Sequence, residues 1–303
     1  MNKTWLAALG LAATTFCWAL NAVVSRGLVG HMPPISLAFW RWVLAGAILL
    51  PFTWTTLCRH RAQLRQHWPW LMLLSALSVG AYNSILYLAV QTTTAINTAL
   101  INTLIPMATM LMAWVILQSR PNRFQLMGMC LGFAGMLIIV CKADPQVIAQ
   151  LAFTHGDLLM LLAVACWSLY TVLLKKRDMG IPPVALLTFV IWLGVPMILP
   201  VYLWEASHFG GFALDARNLG AIAFTGLFAS ILAYLLWNHG IRVLGPAAAS
   251  LFIFLMPVFG SLLAVVFLDE AFLVYHAVGG VMILLGLMLG VRRVSPAAGV
   301  NRQ

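Results

Sequence analysis

Charge is what this sequence has least of. Only 8% of its 303 residues are charged and only seven are acidic, whereas soluble domains carry roughly 25% charged residues. A water-soluble globule is excluded. No Asp or Glu falls well inside any long apolar run. Exporters of lipophilic cations commonly trade a proton for the drug on an embedded carboxylate, so this absence argues against that substrate class. Cysteine is scarce too: the five include Cys17, Cys130 and Cys166 within apolar runs, and an odd number placed in this way does not make a disulfide framework. There is no glycine-rich phosphate loop, no histidine pair at metal-ligand spacing and no Ser-His arrangement suited to acyl transfer. The sequence presents no catalytic chemistry, and neither a metal nor a cofactor is expected. The formal net charge of +10 would suit nucleic acid, but the basic residues are sorted by loop, which is the signature of membrane orientation.

What is abundant is apolar length. The chain is 63% hydrophobic with a mean hydropathy of +0.98. At about 20 residues of helix per crossing and about ten per connection, it has room for about ten crossings and no extramembrane domain. Apolar runs bounded by charge, Pro or Gly predict spans over 5–25, 35–57, 68–90, 95–117 and 124–140, then 158–174, 184–204, 219–237, 247–268 and 272–291. The first run, behind Lys3, is longer than the apolar core of a secretory signal and its pattern returns later, so it is expected to remain as a span. Thirteen of the seventeen Lys and Arg fall on one side of this topology, at the termini and after the even-numbered spans. Arg26, Lys142 and Arg217 fall on the other side, with every acid except Asp178, and Arg41 lies inside span two. By the positive-inside rule both termini are expected in the cytoplasm.

The sequence also repeats itself. A shift of 149 residues lays Cys17-Trp18 on Cys166-Trp167, Leu20 on Leu169, Pro33-Pro34 on Pro182-Pro183 and Leu50-Pro51 on Leu199-Pro200. A shift of 151 continues the match, pairing Pro106 with Pro257, Gly128 with Gly279 and Gly135 with Gly286. Two five-span repeats, 1–142 and 155–293, are therefore expected. An odd number of spans makes the second copy enter the membrane from the opposite side, so the repeat is inverted. The expected fold class is an all-α membrane protein of ten transmembrane helices in two inverted five-helix repeats. In secondary transporters such halves are related by a pseudo-two-fold axis in the membrane plane, with the substrate site near it at mid-depth. Two mirrored halves that exchange conformations give alternating access, an arrangement that a channel or receptor does not need.

Several residues carry a family resemblance: Trp18 and Asn21 in span one, the Pro-Pro before span two, Arg41 within it, the prolines of spans four and nine, and Asp269-Glu270 ahead of a glycine-rich last helix. Together they resemble the drug/metabolite transporter superfamily, and in particular the EamA family of ten-helix bacterial inner-membrane exporters. The resemblance covers nearly the whole chain. It implies the ten-helix fold, a bacterial inner-membrane location and outward transport of a small metabolite such as an amino acid. Where the family usually has Gly-Glu at the ends of spans four and nine, this chain has Gln118-Ser119 and Asp269-Glu270, which leaves Glu270 without a partner from the first repeat.

Under the 151-residue shift Asn83 falls on Tyr234 and Tyr87 on Asn238. Spans three and eight thus each carry one Asn and one Tyr four residues apart on one helix face. Buried amides and phenols need partners in hydrocarbon, so these faces are expected to point into the bundle. Span four adds Thr94, Thr98 and Asn102 at the same step, span one adds Trp18 and Asn21, and span six adds their counterparts Trp167 and Tyr170. The expected site is a cavity lined by aromatics and neutral amides from spans one, three, four, six, eight and nine. Its occupant is a small metabolite. In the rival reading, a non-transporting membrane scaffold or assembly protein, these residues only glue helices together, at on the order of 0.6 kcal/mol per hydrogen bond. Trp18 and Trp167 either pack or stack on a substrate. Pro106 and Pro257 each remove a backbone hydrogen bond and are expected to kink their spans. Arg41 either attracts a substrate carboxylate or, in the reading we favour, snorkels to the interface or ties span two to neighbouring carbonyls. Gly128 and Gly132, with Gly286 and Gly290, suit close helix packing at the bundle edge or the contact of a homodimer. The other expected partner is the lipid bilayer; nucleic acid is not one.

Overall fold

A computed structural model describes residues 3–89, 91–149, 151–268 and 271–291. Among these described residues there are ten helices long and apolar enough to cross a membrane, and none of the residues lies in a strand. Each helix falls on a predicted run. Span one is Lys3–Gly27, two is Pro34–Arg59, five is Arg123–Val140, six is His155–Lys176, seven is Pro183–Phe209, eight is Ala216–Leu244 and ten is Val274–Val291. Spans three (68–89), four (95–117) and nine (246–268), like span eight, are assembled from shorter pieces.

Local chemistry sets the starts. Pro34 and Pro183 occupy the first turns of spans two and seven, where a missing N–H costs nothing. Asn122 and Gln125 cap span five reciprocally, and Asp215 opens span eight by accepting from the Asn218 amide at 2.8 Å. Two ends differ from the hydropathy reading. Span seven continues to Phe209 and span eight to Leu244, each stopping at a glycine of positive φ, Gly210 at 78° and Gly245 at 82°. There the apolar run ends before the helix does, because a helix persists until a residue that tolerates the left-handed region terminates it.

The packing is symmetric under exchange of the two halves. Span one packs on spans eight and nine, and span six on spans three and four; spans two and seven pack on each other, as do five and ten. Replacing each span by the one five positions away leaves this pattern unchanged. The symmetry holds for single contacts. Phe39 stacks on Tyr202 with ring centroids 4.4 Å apart, Thr53 donates to Thr188 Oγ1 at 3.2 Å, and the 149-residue shift converts one pair into the other. Likewise Gly135 faces Gly279, and Gly128 faces Gly286, at the crossing of spans five and ten. A Cβ on Gly135 would stand 2.6 Å from the Gly279 carbonyl oxygen, and one on Gly286 would stand 2.6 Å from that of Gly128. Only glycine permits so close an approach of two backbones. These glycine faces are therefore used for close helix packing within the chain, the first of the two uses expected for them.

Candidate functional site

The helices are interrupted in four places, and these form two exchange-related pairs. Span three passes through a π-helical stretch at Ala76–Gly80 and span eight through one at Thr225–Leu232. A π-turn lengthens the backbone hydrogen-bond step and frees carbonyls for other donors. Side chains take them up at equivalent positions: the Ser78 carbonyl accepts from Asn83 Nδ2 at 3.0 Å, and the Ala229 carbonyl accepts from Trp18 Nε1 at 3.1 Å. Span four is helical over Ala95–Asn102, turns through Thr103 and Leu104, and resumes at Ile105–Leu117; span nine runs Pro246–Ser250, a 3-10 turn at Leu251–Phe254, then Leu255–Leu268. Pro106 cannot donate to the Asn102 carbonyl, nor Pro257 to that of Ile253, and each ring crowds the same oxygen. The expected mid-helix kinks are thus a break in span four and a tightened turn in span nine, both on the N-terminal side of the proline. Irregular backbone at membrane depth is tolerated where it is buried in protein or lines a cavity.

Between these interruptions the two halves meet in a cluster of aromatic rings. Trp18 and its counterpart Trp167 pack edge to face with centroids 5.3 Å apart. Tyr234 lies 4.9 Å from Trp42, 5.5 Å from Trp167, 6.2 Å from Trp18 and 6.4 Å from Tyr170, while Tyr82 and Trp237 pack on Trp167 at 5.1 and 5.8 Å. Edge-to-face and offset pairs of this kind each contribute about 0.5–1.5 kcal/mol beyond the area they bury. Tyr170 and Tyr234 are 1% and 3% exposed. In place of an open cavity, the side chains expected to line one fill the centre and occlude it. A cavity of about 260 Å³ lies to one side, against the break in span four, lined by Leu100, Ile101, Thr103, Leu104, Phe133, Leu137 and Leu151.

Polar groups are threaded through this cluster. Arg41 is buried and donates from Nη2 to Asn83 Oδ1, and Asn83 passes the connection on by donating to the Ser78 and Val79 carbonyls at 3.0 and 3.1 Å. The guanidinium stands 5.3 Å from the Trp42 ring centroid, and the Tyr234 hydroxyl faces both Arg41 and Asn83. Arg41 is thus tied to the side-chain carbonyl oxygen of Asn83 on span three and is not exposed at the surface. In the other half Tyr170 donates to Asn238 Oδ1 at 3.0 Å. Trp18, Asn83, Tyr170, Tyr234, Asn238 and Arg41 are therefore brought together. Asn21 Oδ1, Thr98 Oγ1, Asn102 Oδ1 and Arg41 Nε are shielded from solvent with no hydrogen-bond partner, and leaving such a group unpaired costs about 1–3 kcal/mol. Thr94 instead caps span four, accepting from the Asn97 amide at 3.1 Å. The Tyr87 side chain, Asp269 and Glu270 lie outside the described residues. Sequence reasoning missed Trp42, Tyr82 and Trp237, although each directly adjoins a residue it singled out.

It also missed two buried carboxylates at span ends. Glu205, near the end of span seven, accepts from the Ile35 and Ser36 amides at 3.0 and 2.7 Å and from Ser36 Oγ at 2.9 Å, closing the N-terminus of span two. A carboxylate is favoured there by the helix dipole. Asp157, in the first turn of span six, accepts from Thr93 Oγ1, from Asn97 Nδ2 at 2.9 Å and from the Thr154 amide at 2.7 Å. Both acids belong to the second repeat, and both hold segments of the first. Among the described residues, no group of three or more His, Cys, Asp or Glu is placed to hold a metal ion.

Comparison with known proteins agrees with this architecture. The sequence profile of the EamA-like transporter family matches residues 5–141 and again 154–292. The chain is 29% identical over 265 residues to YyaM, an uncharacterized transporter of Bacillus subtilis, covering 88% of this chain and 87% of that one. It is 26% identical over 286 residues to a probable amino-acid metabolite efflux pump of Salmonella typhimurium, covering 90% and 91%. A solved crystal structure superimposes with a TM-score of 0.76 over 96% of this chain and 99% of its own, at 20% identity, and so shares the fold. Ten spans, exchange-symmetric packing and two consecutive profile matches lead to one conclusion: this multi-pass membrane protein belongs to the EamA-like transporter family.

Proposed function

We propose that the protein is a secondary transporter that exports a small metabolite of the amino-acid class across a bacterial inner membrane by alternating access. Both termini face the cytoplasm, and the repeats 1–142 and 155–293 are the units that move against each other. The observation that carries this reading is that the buried, unpartnered polar atoms include four on residues singled out from the sequence, Asn21 Oδ1, Arg41 Nε, Thr98 Oγ1 and Asn102 Oδ1. Residues kept only to join helices would be expected to satisfy one another, since an orphaned polar group costs more than its bond contributes. Oxygen acceptors complement an ammonium group and a guanidinium complements a carboxylate, so together they suit a zwitterion. The Salmonella relative, named as a probable amino-acid metabolite efflux pump, supports the same substrate class. The aromatic cluster is then the closed centre of an occluded conformation, and Trp18, Tyr170 and Tyr234 part to admit substrate.

The test is flux of labelled amino acids in proteoliposomes holding the purified protein. Saturable transport is expected, reduced at least tenfold by Asn83→Ala or Tyr234→Ala. Folded protein that moves no member of a broad metabolite panel would overturn the reading. If the protein were a scaffold, those substitutions would lower stability while no metabolite raised the melting temperature. Metabolite profiling of medium from overexpressing cells tests direction, and accessibility labelling of cysteines placed at the two ends tests the topology.

A further inference from the structure

The exchange symmetry fails most plainly in one connection. Between spans two and three the chain forms a short helix, Arg61–Gln66, whereas the equivalent segment after span seven, residues 210–214, is not helical. Beside the short helix lies a cavity of about 450 Å³ lined by Arg61, Leu64, Arg65, Trp68 and Phe189. Arg61 and Arg65 are one helical turn apart and so share a face. Both are exposed, and neither has a hydrogen-bond or ion-pair partner among the described residues. In the same segment Gln63 Oε1 and His67 Nδ1 are buried without partners. No acid lines the cavity, and its remaining walls, Leu64, Trp68 and Phe189, are apolar.

Two unpaired cations at the mouth of an apolar recess describe an amphipathic anion in outline. Depth narrows the choice further. The segment joins the last residue of span two, Arg59, to the first of span three, Trp68, which puts the cavity at the level of lipid head groups. Tryptophan is enriched at that level. It also lies on the face that carries thirteen of the seventeen Lys and Arg, and basic recesses between spans on such a face suit anionic head groups. We propose that this cavity binds an anionic phospholipid, with its phosphate on Arg61 and Arg65 and an acyl chain along Leu64 and Phe189.

The experiment is a thermal titration of the full-length protein in neutral detergent with phosphatidylglycerol, with phosphatidylcholine of the same chains, and with inorganic phosphate. Phosphatidylglycerol is expected to raise the melting temperature saturably, and the other two are not. The Arg61→Gln/Arg65→Gln variant is expected to bind phosphatidylglycerol about 25-fold more weakly, at about fivefold for each basic residue near a lipid surface, while Arg61→Lys/Arg65→Lys retains most of the affinity. If the glutamine pair melts early without lipid, Arg65→Gln alone reads the same comparison at about fivefold. Equal response to the two phospholipids, an equal shift from phosphate alone, or unchanged affinity in the glutamine variants would overturn the proposal.

Discussion

Asn83→Ala breaks two connections at once. It removes the acceptor of the Arg41 guanidinium and the donor to the Ser78 and Val79 carbonyls of the π-turn. A hydrogen bond to a charged group contributes about 1.5–3 kcal/mol, and leaving a buried carbonyl unsatisfied costs about 1–3 kcal/mol. Because Tyr234 already faces Arg41, its hydroxyl takes up part of the first loss, so the expected destabilisation is about 3 kcal/mol. The pairwise part is isolated with Arg41→Met, which removes the charge and leaves the Asn83 oxygen unpaired. Measured by reversible unfolding in mixed micelles, the double variant is expected to be less destabilised than the sum of the single variants by about 1.5 kcal/mol or more, since contacting residues couple by about 0.5–3 kcal/mol. Additivity within about 0.5 kcal/mol would show that the two residues do not act together and would refute the assignment of Arg41 to an internal pair. Stable Asn83→Ala protein with unchanged flux would remove this pair from the transport site.

Other outcomes follow from individual contacts. Gly135→Ala places a methyl 2.6 Å from the Gly279 carbonyl; spans five and ten must part, and overpacking of this kind costs about 1–3 kcal/mol. By exchange symmetry Gly286→Ala is expected to lower the melting temperature by a similar amount, and a difference of several-fold between the two would contradict the equivalence. Glu205→Ala leaves three donors at the start of span two unpaired and is expected to cost more than the roughly 1–2 kcal/mol of a single helix cap, about 3 kcal/mol or more at about 1–3 kcal/mol for each buried donor, read by thermal unfolding. Cys58 and Cys130 are exposed while Cys17, Cys141 and Cys166 are buried. Maleimide labelling of folded protein in detergent, followed by mass spectrometry, is therefore expected to modify Cys58, at the end of span two, first, and Cys130, which faces the lipid side within span five, slowly; early modification of Cys17 or Cys166 would contradict the packing of spans one and six.

The ten spans were legible because lipid forces every crossing to satisfy its backbone internally, which leaves an apolar run of characteristic length. Pairing by a fixed shift then revealed the symmetry of Trp18 with Trp167 and of the facing glycines. The π-turns at Ala76–Gly80 and Thr225–Leu232 carried no such signal, because no residue type marks them as proline marks spans four and nine. Trp42, Tyr82 and Trp237 were hidden for another reason. Tryptophan and tyrosine are common in membrane proteins at the interface as well as the interior, so their positions gained meaning only once Arg41, Asn83 and Asn238 were placed beside them. Glu205 and Asp157 read as ordinary loop-side acids because their partners, the start of span two and the segment before span four, are more than sixty residues away in the chain.

What the two repeats share and what they do not share have different physical origins. Gly128 and Gly135 recur as Gly279 and Gly286, Pro106 recurs as Pro257 and Trp18 as Trp167, and these glycines and prolines fix helix approach and helix breaks. If two conformations are to be exchanged images of each other, the backbone packing has to be nearly the same in both halves so that neither conformation is much lower in free energy. The polar residues do not recur. Arg41 stands where the second repeat has Val190, Asn83 where it has Tyr234, Asn21 where it has Tyr170, and Asn102 where it has Ile253. On the proposed reading this asymmetry is required, because a substrate with one cationic and one anionic end cannot be held by two identical half-sites. Symmetry in the small residues sets the two states, and its loss in the polar ones sets what is carried between them.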